Sequence, residues 1–569
     1  MRAAEPTPSA RPGIDRRFVA GVAALALGAL ALRLWGSRHG LPYVYNADEN
    51  AHFVARAIGM FDHTLNPGYF INPPGFTYVL HVIFGIGYGG DGVQAAFAAD
   101  PGDVFAVARA ASAVLGTVAV GLLAWAGARF FDRTTGLIAA ALLAVSFLAV
   151  HYSHLALNDV PALAPLCLAL VGLAGVLRRG ATLDHVLFGI GLGVACAFKY
   201  TAGIVLVGYL AALAVGPRNV KGVGLAAVLG LAGFLVANPY ALFDFATFRD
   251  GLQDQSTASN DGGGKLGLTE PNGVLYYLKT LTWGLGWIPL VAALGGAIAL
   301  VRNDRRAAGV LLAIPLLFVA FMGTQDRYFA RWLLPIYPVL CLLAAHGAVI
   351  AANALRERRP NLRRWAPAVA GALLCAQGLV FSVHNDLVLS RADTRQVTRD
   401  WLVANVPEGS KIVAEPISPD QWAMDVGNPS RKTGNGNRWI KWATSRSRFN
   451  NDGTARRGGV GRRVKLEDYE RTTRPQLVSS YARGGFCFVL TGSTQFGRAF
   501  AEPQEVPNAI RYYEELKRSG DVVFRTSPYR EGAKSVPFSF DFSFNSYPLV
   551  YERPGPEVVI YQLRGCDTG

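Results

Sequence analysis

The sequence predicts a polytopic α-helical membrane protein with a C-terminal α/β domain, and three observations support this fold class. Of the 569 residues, 51% are hydrophobic and only 17% are charged. Apolar stretches near the length of about 20 residues that crosses a bilayer alternate with short basic clusters as far as residue 384. From residue 385 onward the apolar runs shorten to strand length, as in KIVAEP and GFCFVLTG. We therefore divide the chain into a tail (1–17), a transmembrane domain (18–384) and a soluble domain (385–569).

The first apolar stretch sets the orientation of the chain. Arg16 and Arg17 precede it, and cytoplasmic loops of membrane proteins are enriched in arginine and lysine. The N-terminal tail is therefore predicted to be cytoplasmic, and the later basic clusters mark cytoplasmic turns. This layout predicts about eleven spans with the C-terminal domain outside the cell membrane. The spans fall at 18–35, 104–128, 134–157, 159–177, 184–198, 201–217, 222–241, 285–301, 308–322, 332–352 and 366–384.

The segment 72–90, NPPGFTYVLHVIFGIGYGG, does not fit this alternation. It is apolar enough to cross, but a crossing here would move every later basic cluster to the outside. We expect a re-entrant or interfacial helix pair, which is tolerated at membrane depth where it packs against protein or lines a watery cavity. The sequence does not decide between spanning and re-entry.

The charge and the cysteines narrow the classes of function. The net charge is +15, which in a membrane protein indicates orientation signals and lipid contact. Nucleic-acid binding is disfavoured because no basic stretch is interleaved with stacking aromatic residues. The glycine-rich basic tract 431–465 is predicted to be a mobile insertion in the soluble domain. Cys487 and Cys566 can form a disulfide if that domain faces an oxidising compartment, and the sequence leaves their pairing open.

Four polar motifs fall on the outer face in this layout: YNADEN, HLALNDVP, FKYTAG and QDRYFARW. Ionisable groups at the ends of membrane spans are costly and mark a functional site by default. Carboxylates there could take a proton from a hydroxyl or hold a divalent cation, and the cations suit a phosphate ester. The candidates are the acids Asp48, Glu49 and Asp159 and the cations Lys199, Arg327 and Arg331.

Each candidate also has a simpler explanation when it is taken alone. Asp48 and Asp159 suit helix N-caps, and Lys199 at the end of an apolar run suits a side chain that snorkels to the interface. His151 and His154 are more typical of interfacial hydrogen bonding than of metal binding. The return of two acids and three cations to one face favours the functional interpretation.

The motifs DENAHFVARAIGMF, INPPGFTYVLHVIFG, HYSHLALNDVPALAPLCLAL, GLGVACAFKYTAGIVL and ARWLLPIYPVLCLLAAHG carry a family resemblance between about residues 20 and 384. In order and spacing the chain resembles class C glycosyltransferases of the protein O-mannosyltransferase and aminoarabinose-transferase superfamily. The resemblance implies inverting, mannosyltransferase-like transfer of a sugar from a polyprenyl-phosphate donor to a hydroxyl of a protein, lipid or glycan at the outer face. It also implies that Asp48 is the base, Glu49 the acid beside it and Asp159 the second-loop acid. Lys199 matches a lysine near the lipid phosphate, and Arg331 matches the arginine of an RYLLPxxP-like signature.

The chain departs from the family pattern at two places. Asn72 stands where many relatives have the lysine of Lys-Pro-Pro, and His154 stands where many have the arginine of Tyr-Ser-Arg. Arg327 is the candidate that replaces the missing phosphate contact, and His52 and Tyr200 are further site candidates. No cofactor is predicted except an optional divalent cation between Asp48 and Asp159.

Two other classes of function stay open. A transporter is disfavoured because the charges gather at one face rather than at mid-span, and because no inverted repeat is visible. A lipid-carrier-binding protein without catalysis is kept open by the departure at Asn72.

Overall fold

The computed structural model describes residues 15–62, 64–259, 266–267, 272–358, 365–424, 437–442, 469–541 and 549–566. Each of the eleven predicted spans coincides with helical structure. Within those ranges, seven helices are long and apolar enough to cross a membrane, or eight if the bent pair Arg133–Val145 and Phe147–Ser153 is one span. Four further apolar helices have 10 to 17 residues. The chain is a multi-pass membrane protein, and the count of about eleven spans stays a prediction.

The helical part runs from residue 16 to residue 389 and shares a continuous apolar core. Its α-helices are Arg16–Leu34, Val54–Gly59, Gly75–Tyr88, Gly92–Ala99, Pro101–Phe130, Arg133–Val145, Phe147–Ser153, Leu163–Arg178, Thr182–Phe198, Val205–Val215, Val220–Ala237, Tyr240–Phe243, Phe245–Ser259, Gly273–Leu281, Trp287–Asn303, Arg305–Gly323, Tyr337–Arg358 and Ala366–Leu389. Glu49–Phe53 and Thr282–Gly286 are short π-helices, and Tyr200–Ile204 and Ala330–Ile336 are short 3-10 helices.

Residues 72–90 contain one helix, Gly75–Tyr88, instead of the expected pair, and a second helix, Gly92–Ala99, follows the segment. The helix Gly75–Tyr88 has 14 residues, which is shorter than the roughly 20 that a full crossing needs. A Cβ atom at Gly75 would lie 2.6 Å from the carbonyl oxygen of Ala197, so glycine allows this helix to pack directly on the end of the helix Thr182–Phe198. Its position relative to the membrane stays a prediction.

Small residues bring the central helices close together. A Cβ atom at Gly193 would lie 2.0 Å from the carbonyl oxygen of Gly230, and one at Gly189 would lie 2.4 Å from that of Ala226. The helices Thr182–Phe198 and Val220–Ala237 therefore touch backbone to backbone. Such contacts are the usual way in which membrane helices gain packing energy without a hydrophobic driving force between them.

One end of the helical bundle, here called the basic end, collects the predicted orientation signals. Asp184 accepts hydrogen bonds from Arg129 at 2.9 Å and from Arg179 at 2.8 Å. Arg178 pairs with Asp304 at 2.7 Å. The structure thus brings the basic clusters around residues 129, 178 and 304 to the same end of the bundle, as the alternating layout requires.

The residues after 393 contain a mixed five-stranded sheet. Its strands are β1 Lys411–Ala414, β2 Ile440–Lys441, β3 Phe488–Gly492, β4 Gly520–Thr526 and β5 Val558–Leu563. Their order in the sheet is β2-β1-β3-β5-β4. Strands β1, β2 and β3 are parallel, whereas β5 is antiparallel to both β3 and β4. Cys487 and Cys566 form a disulfide. The predicted insertion 431–465 lies outside the described residues except for 437–442. The helices of this part are Thr394–Asn405, Tyr469–Thr472, Gln476–Arg483, Ser493–Ala501 and Pro507–Ser519.

The helix Thr394–Asn405 holds the segment 41–46, which follows the first span. Gln396 Nε2 donates to the carbonyl oxygen of Leu41 at 3.0 Å. The guanidinium carbon of Arg395 lies 3.7 Å from the centre of the Tyr45 ring, a favourable cation–π distance. The sheet-containing part of the chain therefore braces the segment that leads into Asp48.

Candidate active site

The helix that carries Asp48 is capped by another residue. The side-chain oxygen of Asn46 accepts hydrogen bonds from the backbone N–H groups of Asp48 and Glu49, both at 3.1 Å. Asp48 itself makes no side-chain capping bond. Asn46 thus performs the N-cap function that was the simpler explanation for Asp48, and the Asp48 carboxylate is directed to other partners.

Four charged residues from four separate parts of the chain form one cluster. Arg331 Nη2 donates to Asp48 Oδ2 at 2.5 Å, and its Nε lies 3.8 Å from Asp159 Oδ2. Lys199 Nζ donates to Asp159 Oδ1 at 2.7 Å. The geometry brings together the two acids and two of the three cations that the sequence predicted on one face. We call these residues the Asp48 cluster.

Asp48 is the most exposed member of the Asp48 cluster, and the other three residues are largely buried. The Asp48 side chain is 40% exposed, whereas that of Arg331 is 14% exposed. Lys199 is 11% exposed and Asp159 is 3% exposed. Asp48 is therefore the carboxylate of the cluster that is most accessible to solvent, and the buried Asp159 helps to position the Arg331 guanidinium.

Glu49 lies apart from the Asp48 cluster although it follows Asp48 directly. Its carboxylate is fully buried and accepts from Arg109 Nε at 2.7 Å and Nη2 at 2.8 Å. It also accepts from the backbone N–H of Ala156 at 2.8 Å. These contacts tie the first loop to the segment that precedes Asp159, so the geometry gives Glu49 the position of a structural brace.

His52 and Asn72 border the Asp48 cluster through Tyr69. His52 Nε2 lies 3.8 Å from Asp48 Oδ1, and its ring stacks on that of Tyr69 with centroids 4.8 Å apart. Asn72 Nδ2 donates to the Tyr69 hydroxyl at 2.8 Å. Burial lowers the pKa of His52 against the opposing charge of Asp48, so its ring is mostly neutral at pH 7. Burial raises the pKa of Tyr69 to about 12.

Three further candidates have contacts outside the Asp48 cluster. His154 is fully buried, with Nε2 2.8 Å from the carbonyl oxygen of Trp35 and 3.3 Å from Asp386. The Tyr200 hydroxyl donates to the carbonyl oxygen of Phe70 at 2.9 Å. Arg327 Nη1 approaches the carbonyl oxygen of Ala258 at 3.5 Å. The structure does not bring these side chains into direct contact with Asp48 or Asp159.

Arg109 and Asn46 were not among the residues predicted from the sequence. Arg109 lies within the predicted span 104–128, and an arginine inside an apolar span is itself a signal for a buried partner. Asn46 stands two residues before Asp48, and asparagine is among the best N-cap residues. Both signals were available in the sequence.

In the part of the chain that the structure describes, no three histidine, cysteine, aspartate or glutamate side chains are grouped as a metal site. Asp48 and Asp159 remain the pair that could hold a cation, and both carboxylates contact Arg331.

The fold and the charged cluster define a multi-pass membrane protein with a polar site at one end of its helical bundle. The structure is similar to the oligosaccharyltransferase of Archaeoglobus fulgidus in the apo form, with a TM-score of 0.50, 14% identity, and coverage of 91% of this chain and 75% of that one. ArnT from Cupriavidus metallidurans in the apo state gives a TM-score of 0.48 at 15% identity, covering 70% of this chain and 83% of that one. The Pmt1-Pmt2 protein O-mannosyltransferase of S. cerevisiae gives 0.31 at 19% identity, covering 42% of this chain and 35% of that one.

A family model described as dolichyl-phosphate-mannose-protein mannosyltransferase matches residues 93–243, which include Asp159 and Lys199. The comparison with curated proteins finds no match. This family match agrees with the resemblance to the class C glycosyltransferases of the protein O-mannosyltransferase and aminoarabinose-transferase superfamily. The resemblance indicated by the sequence motifs is thereby confirmed.

Proposed function

We propose that this protein transfers a sugar from a polyprenyl-phosphate-linked donor to an acceptor hydroxyl at the outer face of the cell membrane. The observation that carries the proposal is the Asp48 cluster, in which an exposed carboxylate shares the Arg331 guanidinium with a buried one. A carboxylate next to water supplies a base, and buried cations beside it suit a phosphate leaving group.

The proposed step balances charge within the Asp48 cluster. The acceptor oxygen attacks the anomeric carbon as its proton passes to Asp48, and the bond from that carbon to the phosphate oxygen breaks on the opposite side. This in-line displacement inverts the anomer. The phosphate gains one negative charge while Asp48 loses one. The Arg331 guanidinium, which pairs with Asp48 in this structure, then becomes available to the departing phosphate, and Lys199 supports the same charge.

Two observations support the outer face as the place of reaction. Asp48, Asp159, Lys199 and Arg331 lie away from the basic end, at the opposite ends of the helices they adjoin. The soluble part that braces the first loop carries the Cys487–Cys566 disulfide, and disulfides persist in oxidising compartments. We accordingly treat residues 385–569 as an extracytoplasmic domain.

The catalytic claim is tested with the purified full chain in detergent. The probe is the pool of polyprenyl-phosphate sugars extracted from membranes of the source cells, supplied with an extract of their surface glycans, glycolipids and proteins. We expect release of free polyprenyl phosphate together with a newly glycosylated product in the absence of any gradient. A transporter would release no free polyprenyl phosphate, and a non-catalytic carrier-binding protein would bind the donor without converting it.

The orientation is tested separately by labelling single cysteines. Cysteines placed at the exposed positions Ala47 and Leu65 are expected to react with an impermeant thiol reagent from outside intact cells. A cysteine at Asn303, which is exposed near the basic end, should react only after permeabilisation. The reverse pattern would contradict action at the outer face.

A further inference from the structure

The hydroxyl of Tyr152 is an unexplained polar group beside the Asp48 cluster. The side chain is 0% exposed, and its hydroxyl has no hydrogen-bond partner among the described residues. An unpaired polar group in a protein interior costs free energy, because it has lost its hydrogen bonds to water. A phenylalanine would avoid this cost. We therefore expect the Tyr152 hydroxyl to have a hydrogen-bond partner that is not part of the chain, namely a bound ligand.

The surroundings of Tyr152 indicate the chemistry of that partner. The guanidinium carbon of Arg331 lies 6.0 Å from the centre of the Tyr152 ring. The carboxylates of Asp48, Asp159 and Asp541 also act electrostatically on the hydroxyl. Asp541 comes from the C-terminal part of the chain and accepts a hydrogen bond from Tyr276 at 2.5 Å.

Three carboxylates and one guanidinium near a phenol disfavour a phosphate oxygen as its partner. At the proposed phosphate site, the two cations Arg331 and Lys199 offset the charges of two acids. Beside Tyr152, Asp541 adds a third acid, so a phosphate there would meet more repulsion. A sugar hydroxyl avoids this problem because it accepts a hydrogen bond from the phenol and donates one to a carboxylate. The mixture of phenol and carboxylate groups therefore matches a polyhydroxylated ligand.

We propose that Tyr152 is a binding residue whose hydroxyl donates a hydrogen bond to a hydroxyl of the transferred sugar. The inference rests on the proposed function, since it assigns the sugar of the lipid-linked donor to this side of the Asp48 cluster. It separates the recognition of the sugar by Tyr152 from that of the phosphate by Arg331 and Lys199.

The test compares two tyrosines that differ in their surroundings. Tyr337 is also 0% exposed with a hydroxyl that lacks a partner in the described part of the chain, but its electrostatic neighbour is the Cys341 thiol. Tyr152→Phe and Tyr337→Phe therefore remove equivalent atoms inside and outside the site. Affinity is measured for undecaprenyl phosphate and for the extracted polyprenyl-phosphate sugars, and thermal stability is measured for both variants.

We expect Tyr152→Phe to weaken binding of the sugar-bearing lipids by about 3- to 10-fold, the scale of one net hydrogen bond. Its affinity for undecaprenyl phosphate and its stability should not fall, and Tyr337→Phe should bind both lipids as the wild type does. Equal weakening for both lipids would overturn the inference in favour of a phosphate contact. Unchanged binding of both, or a destabilised Tyr152→Phe protein, would overturn it in favour of a structural hydroxyl. A wild-type protein that binds neither lipid would refute the proposed function itself.

Discussion

The two ends of the helical bundle each hold a buried aspartate between two cations, yet the two arrangements differ. At the basic end, the Asp184 side chain is 1% exposed and is held by Arg129 and Arg179. Arg129 also donates to the carbonyl oxygen of Val171 at 2.7 Å. At the opposite end, Asp159 is held by Lys199 and Arg331. Arg331 there binds a second carboxylate, that of Asp48, which water can reach.

The difference lies in the second acceptor of Arg129 at the basic end and of Arg331 at the opposite end. The second bond of Arg129 goes to a backbone carbonyl, which does not accept a proton near neutral pH. The ion pairs at the basic end therefore hold the helices together in one arrangement. A partly exposed carboxylate can accept a proton and release its arginine. Arg331 is shared by a buried acid and an exposed acid. We interpret this shared cation as the feature that distinguishes a site capable of proton transfer from a structural ion pair of similar burial.

The largest expected effect follows from removing the exposed acid. Asp48→Asn should lower sugar transfer by about 10²- to 10⁴-fold, the usual range for loss of a general base. Folding should survive because Asn46 supplies the helix cap. Turnover is measured at equal amounts of folded protein. Asp103→Asn is the matched control, since Asp103 is an exposed carboxylate paired with Arg38. Near wild-type transfer by Asp48→Asn would remove Asp48 from the mechanism.

Replacing Glu49, the acid next to Asp48, should lower the stability of the protein more than its transfer activity. Glu49→Gln leaves Arg109 buried without its charge partner, and breaking a buried pair costs about 3 to 5 kcal/mol. We expect a lower thermal midpoint and less extractable protein. The molecules that do fold should retain a substantial part of their transfer activity. A normally stable protein with abolished transfer would show instead that Glu49 takes part in the reaction.

Loss of one cation from the Asp48 cluster should have a smaller effect. Arg331→Gln and Lys199→Gln each remove a charge but keep a hydrogen-bond donor near Asp159. A hydrogen bond to a charged group contributes about 1.5 to 3 kcal/mol, so donor affinity and turnover should both fall by about 10- to 150-fold. Arg38→Gln, with a 66% exposed side chain, is the control. Undiminished undecaprenyl phosphate binding by both variants would argue against a phosphate site.

The smallest effect belongs to the basic end. The Arg179 side chain is 57% exposed, and exposed ion pairs are worth about 0 to 1 kcal/mol. Arg179→Ala should therefore change the thermal midpoint only slightly and leave transfer unchanged. A loss of transfer comparable with that of Arg331→Gln would abolish the functional distinction between the two ends.

The sequence predicted the parts of this arrangement that depend on spacing along the chain. Apolar length and alternating basic clusters located the helices, and the same alternation placed Asp48, Asp159, Lys199 and Arg331 together. It could not separate Asp48 from Glu49, because the direction of adjacent side chains depends on the wide turn at Glu49–Phe53 and on a partner 60 residues away. It also could not exclude His154 and Arg327 from the cluster, since residues on one face need not be in contact.

The brace on the first loop joins parts of the chain that are made at very different times. Leu41 and Gln396, which share a hydrogen bond, are 355 residues apart. During synthesis the segment 41–46 leaves the ribosome long before the helix Thr394–Asn405 exists. The loop that presents Asp48 therefore gains this support only after the last predicted span has been made. Assembly of the reaction centre is in this way coupled to completion of the membrane domain.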